Sequence, residues 1–246
     1  FDHRGRHQQL CGATLEGAHL RLLFGGFERL AKFVGGICLA TALHLGTAGE
    51  FSLQIGWTDP ATFKARNDAF YADYQAGVLD IHDYVRFATE AVRLKGAEAA
   101  KLAHQQFMRE VIQPAIKPVA LDLIQHHQAL GDHVMIVTAT NEFVTRPIAN
   151  AFGVSELIAV ELARNPQGWI TGDIAGTPSF KEGKVTRVAE WLATRNLKWA
   201  DAHITFYSDS VNDLPLLEMV QTPVATNPDA RLRQLATDRG WRILEL

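Results

Sequence analysis

From about Asp59 onward the apolar positions follow two different rhythms, and the change between them divides the chain. Phe63, Phe70, Tyr71 and Tyr74 come first, then Ile81, Tyr84, Val85 and Phe87, then Leu102, Phe107 and Val111, then Val119, Leu121, Leu123, Ile124 and Leu130. Steps of three and four residues put such side chains on one face of an α-helix. The breaks carry residues that start or stop helices: Thr58 or Asp59 before Pro60, then Gly77, Asp80, Pro114 and Gly131. A side-chain oxygen before the first turn accepts from its free N–H groups, and a proline in that turn loses nothing by lacking one. No strand pattern occurs between Asp59 and Gly131. That stretch is predicted to be a helical block, with the aromatic stripe as its core rather than a binding site.

After Gly131 short apolar runs alternate with amphipathic ones. Strands are predicted at His133–Val137, Leu157–Val160, Ile204–Tyr207, Val224–Ala225 and Trp241–Leu244. Helices are predicted at Val144–Phe152, Lys181–Arg195, from Leu214 with Asp213 as its cap, and at Asp229–Arg239. Thr138–Asn141 reads as the loop after the first strand, and Asn165-Pro166-Gln167-Gly168 as a hairpin turn leading into Trp169–Ile174. Strands alternating with helices imply a parallel sheet covered on both faces, a Rossmann-like α/β core. Residues 1 to 48 are harder to read. Leu20, Leu22, Leu23, Phe24, Phe27, Leu30 and Phe33 have roughly helical spacing, but Gly25-Gly26 and Gly35-Gly36 interrupt them. A broken helix and a strand near Gly36 to Leu43 both stay open.

Composition narrows the function classes. The chain has 246 residues, 47% of them hydrophobic, with a formal net charge of −3. There is no basic excess to attract nucleic acid or an anionic membrane. Cys11 and Cys38 are the only cysteines and form no metal-binding spacing, which fits a reducing cytoplasm. The longest apolar run, Phe33 to Leu45, is too short to span a bilayer and lacks signal-peptide context. The chain opens on Phe rather than Met, so its true start is expected upstream.

Candidate chemistry gathers where strands are predicted to end. The run Tyr207-Ser208-Asp209-Ser210-Val211-Asn212-Asp213 places two carboxylates and an amide between a strand and a helix. In open α/β sheets ligands bind at that edge. Two acids four residues apart can converge on one hard cation, and Mg²⁺ suits them because it keeps positions for water and phosphate. Thr138 closes another strand before a run of loop amides, and Lys184 lies in the first turns of its helix. Taken singly, Thr138 reads as an ordinary strand-end threonine, Lys184 as a solvated lysine, Asn141 as a cap or turn residue, and Asp209 and Asp213 as a loop acid and a cap. Taken together, a hydroxyl, an ammonium and two acids can bind a phosphoryl group and its metal.

In this order the motifs resemble the haloacid dehalogenase (HAD) superfamily, specifically subfamily IB, the phosphoserine-phosphatase-like hydrolases. The resemblance covers about Gly49 to the C-terminus. It implies Thr138 as the phosphate-binding hydroxyl, with Asn141 in the same motif at the substrate. It implies Lys184, in preference to Lys181, as the motif lysine. Asp209 is implied as a Mg²⁺ ligand, Asp213 as a second acid supporting the metal, and Asn212 as a polar contact near the substrate. It further implies that 59–131 is a helical cap inserted after the first core strand and that 132–246 is the α/β core. Residues 1–58 remain as an atypical segment in the expected place of that strand. The activity implied is Mg²⁺-dependent hydrolysis of a small soluble phosphorylated metabolite, phosphoserine-like among the possibilities. The alternative is a catalytically inactive HAD-like protein that binds phosphate or Mg²⁺.

One family motif is missing. The chemistry needs D-x-D-x-T at the end of the first core strand, the first Asp as nucleophile and the second as general acid and base. No such run occurs in the sequence, and Phe33–Leu45, its expected place, has no carboxylate. Asp2 has no strand before it and no second Asp after it, so it is not assigned as the nucleophile. The favoured explanation is a reading-frame or gene-model error over residues 1 to about 48. A degenerate member of the family, or a substitute carboxylate, are the other two.

Overall fold

The computed structural model describes residues 51, 52 and 54–246. The segment 33–45, expected to hold the first core strand, lies outside the described residues, as do Cys11 and Cys38. Four helices come first: α1 (Pro60–Ala76), α2 (Ile81–Lys95), α3 (Ala97–Phe107) and α4 (Pro118–Ala129). Their ends follow the sequence signals. Asp59 accepts from Thr62 N at 2.9 Å, Asp80 accepts from His82 N at 2.8 Å, and Gly77 closes α1 with φ of 75°. The last turns of α3 widen into a π-helical segment, Met108–Ile112, before Gln113–Ala115. The aromatic stripe does pack together: Phe63 and Phe87 stack at 5.1 Å and Phe70 meets Phe87 at 5.1 Å. Such pairs contribute about 0.5–1.5 kcal/mol beyond their buried area.

The α/β part continues with β1 (Met135–Asn141), α5 (Glu142–Ala151), β2 (Glu156–Val160), β3 (Leu162–Arg164), β4 (Ile170–Ile174), α6 (Glu182–Ala193), β5 (Thr205–Ser208), α7 (Leu214–Met219), β6 (Thr222–Thr226), α8 (Ala230–Arg239) and β7 (Arg242–Leu244). β1 pairs with β2 in parallel, and β5, β6 and β7 form a second parallel ladder. β3 and β4 are the expected hairpin, in which Asn165 Oδ1 accepts from both Gln167 N and Trp169 N. Helix α2 packs on that hairpin through Ile81 and Val85 against Val160, Leu162 and Ile170. Among the described residues, no helix is long and apolar enough to cross a membrane.

The two parallel ladders belong to one layer. On one face Ile136 of β1, Tyr207 of β5 and Val224 of β6 are buried together under α4 and α5. On the other, Met135 and Val137, Phe206 and Ala225 are buried together under α6, α7 and α8. Alternating residues of each strand thus serve opposite faces, as the pleat requires. Yet β1 and β5 share no ladder among the described residues.

One expectation is corrected. Thr138–Asn141 is not a loop but the second half of β1, and its register with β2 is irregular between Val137 and Asn141. Four steps along β1 there match two along β2, from Ile158 to Val160. Such bulges re-aim side chains beside sites. Helix α4 buries Ala120 and Ile124 in one cluster with Phe107 of α3, with Ile112, with Ile136 of β1 and with Ile148 of α5.

Helix α4 is tied to β5 by a buried relay. His127 Nδ1 lies 2.8 Å from Asp132 Oδ2, and His127 Nε2 lies 2.8 Å from the Tyr207 hydroxyl. Removing one member leaves a desolvated polar atom without its partner. Tyr207→Phe is therefore expected to lower the unfolding free energy by about 1–3 kcal/mol, read by urea denaturation.

Candidate active site

The carboxyl ends of β1 and β5 face a common cavity of about 90 Å³, lined by Val137–Thr140 on one side and by Asp209, Ser210, Asn212 and Asp213 on the other. Lys184 reaches in from α6, and Tyr74, Leu79, Ile81, Tyr84 and Phe180 close it from above. Local chain features bring each group there. The bulge of β1 turns Thr138 inward, where its hydroxyl accepts from Thr140 N at 3.1 Å. Lys184 sits in the first turn of α6, directly after Gly183. A Cβ on Gly183 would lie 2.0 Å from the Pro178 carbonyl oxygen, so only glycine lets the preceding loop fold this closely over the helix start. Lys181, at the entry of that helix, has φ of 49°, a region in which non-glycine residues are strained.

The electrostatics centre on one buried ion pair. Lys184 Nζ donates to Asp213 Oδ1 at 2.5 Å, and the two side chains are only 6% and 9% exposed. The Ser208 hydroxyl donates to Asp213 Oδ2 at 2.8 Å. Both oxygens of Asp213 are thus engaged by the protein. Asp209 differs: among the described residues no side-chain donor is bonded to its carboxylate. Burial, and then the neighbouring Asp213, push its pKa up to about 6. A desolvated acid in this state has an unmet demand for a cation. Its hard oxygens suit Mg²⁺, which takes few protein ligands and keeps the rest for water and phosphate. Among the described residues no cluster of three or more acidic, histidine or cysteine side chains forms a complete metal cage.

The far wall is tied to this edge by polar contacts. Tyr74 shares a 2.7 Å hydrogen bond with Ser210 Oγ, and Asn212 Nδ2 donates to Tyr74 O at 3.1 Å. Burial, then Asp213, push the Tyr74 hydroxyl up to about 12. Lys181 Nζ donates to Gly77 O at 2.5 Å. Arg231 donates to Gln75 O at 3.2 Å. All four contacts fall on the C-terminal turn of α1, a 17-residue helix whose one buried residue is Phe63.

A sequence model described as haloacid dehalogenase-like hydrolase matches residues 42–218. The chain belongs to that family. A histidinol-phosphatase of Neisseria meningitidis serogroup C is 41% identical over 196 residues, covering 79% of this chain and 88% of that protein. A Bordetella pertussis Tohama I protein of unknown function has a solved structure with 40% identity and a TM-score of 0.79, covering 87% of this chain and 98% of its own. A substrate-bound phosphoserine phosphatase superposes with a TM-score of 0.60 at 15% identity, covering 88% and 94%. At that identity it speaks for the HAD fold alone.

Within the HAD fold, the expected residues divide. Thr138, Lys184, Asp209, Asn212 and Asp213 line the one cavity. Asn141 does not: its amide oxygen caps α5, accepting from Val144 N at 3.2 Å. The side chain expected at the substrate is taken by the helix start that follows it. Asp213 stands before α7 but makes no cap hydrogen bond, because the Lys184 ammonium and the Ser208 hydroxyl claim its oxygens. Lys181 points to Gly77 rather than into the cavity. Tyr74, Tyr84, Phe180, Ser208 and Ser210 were not anticipated. The two tyrosines sit in an aromatic stripe that otherwise reads as core. Only the serines flanking Asp209 carried a signal, as short polar residues at a strand end.

The two acids should respond oppositely to removal of charge. Asp213→Asn leaves a buried lysine unpaired and is expected to cost about 3–5 kcal/mol. Asp209→Asn removes an unpaired, desolvated charge and is expected to be neutral or stabilising in Mg²⁺-free buffer. Thermal and urea denaturation of both variants check the contrast.

Proposed function

We propose that this cavity binds a phosphomonoester together with Mg²⁺, and that the protein is a phosphatase of small phosphorylated metabolites in the cytoplasm. The observation that carries the reading is the convergence of Thr138, Lys184 and Asp209 on one cavity at the carboxyl ends of two parallel strands. The 41% identity to a histidinol-phosphatase supports the reaction class. In this reading the Thr138 hydroxyl and neighbouring backbone N–H groups hold phosphoryl oxygens. Lys184, kept in place by Asp213, neutralises the phosphoryl charge. Asp209 is the protein's ligand to Mg²⁺, with Asp213 supporting it through Lys184 and Ser208. Mg²⁺ would supply a Lewis acid for a phosphoryl oxygen. Asn212 offers a polar edge beside the substrate. The helices preceding α4 act as the cap and exclude water through Tyr74, Tyr84 and Phe180.

A second reading has its own observation. Asp209 and Asp213 are the carboxylates of the cavity among the described residues, and D-x-D-x-T is absent from the whole sequence. Phosphoryl transfer to the enzyme requires an attacking carboxylate beyond these two. Without one, the same cavity is a phosphate- and Mg²⁺-binding site that does not turn over.

Hydrolysis of p-nitrophenyl phosphate with and without Mg²⁺ separates the readings. The phosphatase shows Mg²⁺-dependent turnover that Asp209→Asn lowers by roughly 10²–10³-fold, the scale for losing one group that stabilises developing charge. The binding protein shows no turnover, but Mg²⁺-dependent binding of vanadate that Asp209→Asn abolishes. Vanadate binding that is absent, or indifferent to Mg²⁺ and to residue 209, overturns both.

A further inference from the structure

A separate cavity, of about 710 Å³, opens between α3, the π-helical turn that follows it, the first turns of α5 and the end of β3. It shares no lining residue with the cavity at the strand ends. Its charged side chains are Lys101, Arg109, Arg146 and Arg164 against Glu142, four cations to one carboxylate, in a chain whose formal net charge is −3. That carboxylate is already engaged, since Glu142 Oε1 accepts from Arg164 at 2.9 Å. Arg146 donates to the Ser155 carbonyl at 2.7 Å, a neutral partner. Lys101 and Arg109 make no ion pair and no side-chain hydrogen bond among the described residues. Like charges gathered round one hollow repel each other and raise the local concentration of anions.

The cations are exposed and stand at the rim, whereas His104, Met108, Phe143 and Pro147 are half-buried and form the floor. Phe143 and His104 meet edge to face with centroids 5.4 Å apart. His104 Nε2 lies 3.2 Å from the Val144 carbonyl oxygen, and burial lowers the pKa of the ring. The imidazole is therefore neutral at pH 7 and belongs to the floor rather than to the charged rim. The π-helical turn Met108–Ile112 supplies one residue to each, Met108 and Arg109. Turns of this kind are frequent at functional sites. A rim of guanidinium and ammonium groups suits phosphate or carboxylate oxygens, which guanidinium binds in pairs. An aromatic floor suits a flat apolar group. The volume is that of a site for a small organic molecule.

We propose that this cavity is a second ligand site, for an organic polyanion with a flat apolar part, the chemistry of a nucleoside di- or triphosphate. Its negative groups pair with Lys101, Arg109 and Arg146, and its ring rests on Phe143 and His104. Helix α5 starts at Glu142, directly after β1, and Thr138 and Thr140 of β1 line the cavity at the strand ends. A ligand held at the start of α5 therefore sits beside the strand that shapes the other site. The inference does not depend on turnover there.

Calorimetric titration with ADP, inorganic pyrophosphate and adenosine tests it, at low salt and with EDTA present so that no metal-dependent site contributes. ADP is expected to bind at least about threefold more tightly than pyrophosphate, the gain from one aromatic contact, and far more tightly than adenosine. Added salt should weaken ADP binding, because the charges at the rim are exposed. Lys101→Glu and Arg109→Glu alter exposed side chains and should leave thermal stability nearly unchanged. Each should weaken ADP binding at least about tenfold, the scale of one charged hydrogen bond. Thr138→Val, in the other cavity, should leave ADP affinity as it was. The inference is overturned if ADP does not bind, if pyrophosphate or adenosine binds as tightly, or if residues 101 and 109 make no difference. Loss of ADP binding in Thr138→Val overturns it too, by placing the ligand at the strand ends.

Discussion

An ammonium group 6% exposed to solvent must be neutralised where it sits, and the pairing of Lys184 with Asp213 organises the molecule around that demand. The pair joins the first turn of α6 to the start of α7, and through Ser208 it reaches the end of β5. The helix start of α6 is thereby held against the end of β5 and the start of α7, which follow it about 20 to 30 residues later. The pairing also sets the character of the other acid. With Lys184 and Ser208 engaged by Asp213, Asp209 is left beside a like charge in a desolvated place. A buried ion pair contributes little net stability compared with an apolar substitute, so its presence here speaks for a constraint other than stability. The anionic demand left at Asp209 and the cationic head of Lys184 together describe a site for a cation and an anion bound side by side.

The far wall is anchored to that edge through backbone carbonyls more than through packing. Helix α1 buries one residue, yet its last turn offers the carbonyls of Tyr74, Gln75 and Gly77 to Asn212, Arg231 and Lys181. Carbonyls at a helix C-terminus have no partners within the helix and carry the negative end of its dipole. Two cations and an amide satisfy them from the α/β part. The positive φ at Gly77 turns the chain away at that point, so that Leu79 and Ile81 descend into the cavity rather than continuing the helix.

Much of this was legible in the sequence because it was written in local chemistry. The caps at Asp59 and Asp80, the stop at Gly77 and the hairpin turn at Asn165 depend on residues within a few positions of each other. The convergence of Thr138, Lys184 and Asp209 was legible because strand ends in such a sheet share one edge. What could not be read depended on partners far along the chain. Asp213 looks like a helix cap until a lysine 29 residues away is seen to claim it. Thr138–Asn141 has the composition of a loop, and only pairing with β2 shows it to be a bulged strand. Tyr74 and Tyr84 follow the same periodicity as Phe63 and Phe87. Nothing in spacing tells a ring that fills a core from one that lines a cavity.

Shaping the cavity and supplying a nucleophile are separable requirements. Among the described residues the cavity edge is held by contacts that need no attacking acid: Lys184 on Asp213, Ser208 on Asp213, and Asn212 on the carbonyl of Tyr74. The two carboxylates present are unequal, one fully engaged by a lysine and a serine, the other desolvated beside it. An enzyme that passes a phosphoryl group through a covalent intermediate needs a third carboxylate, because one already paired to a lysine and one suited to a cation are poor nucleophiles. The run Phe33–Leu45, where the sequence pattern expects that third acid, has none and lies outside the described residues. A chain can therefore keep the edge in shape without meeting the demand for a nucleophile.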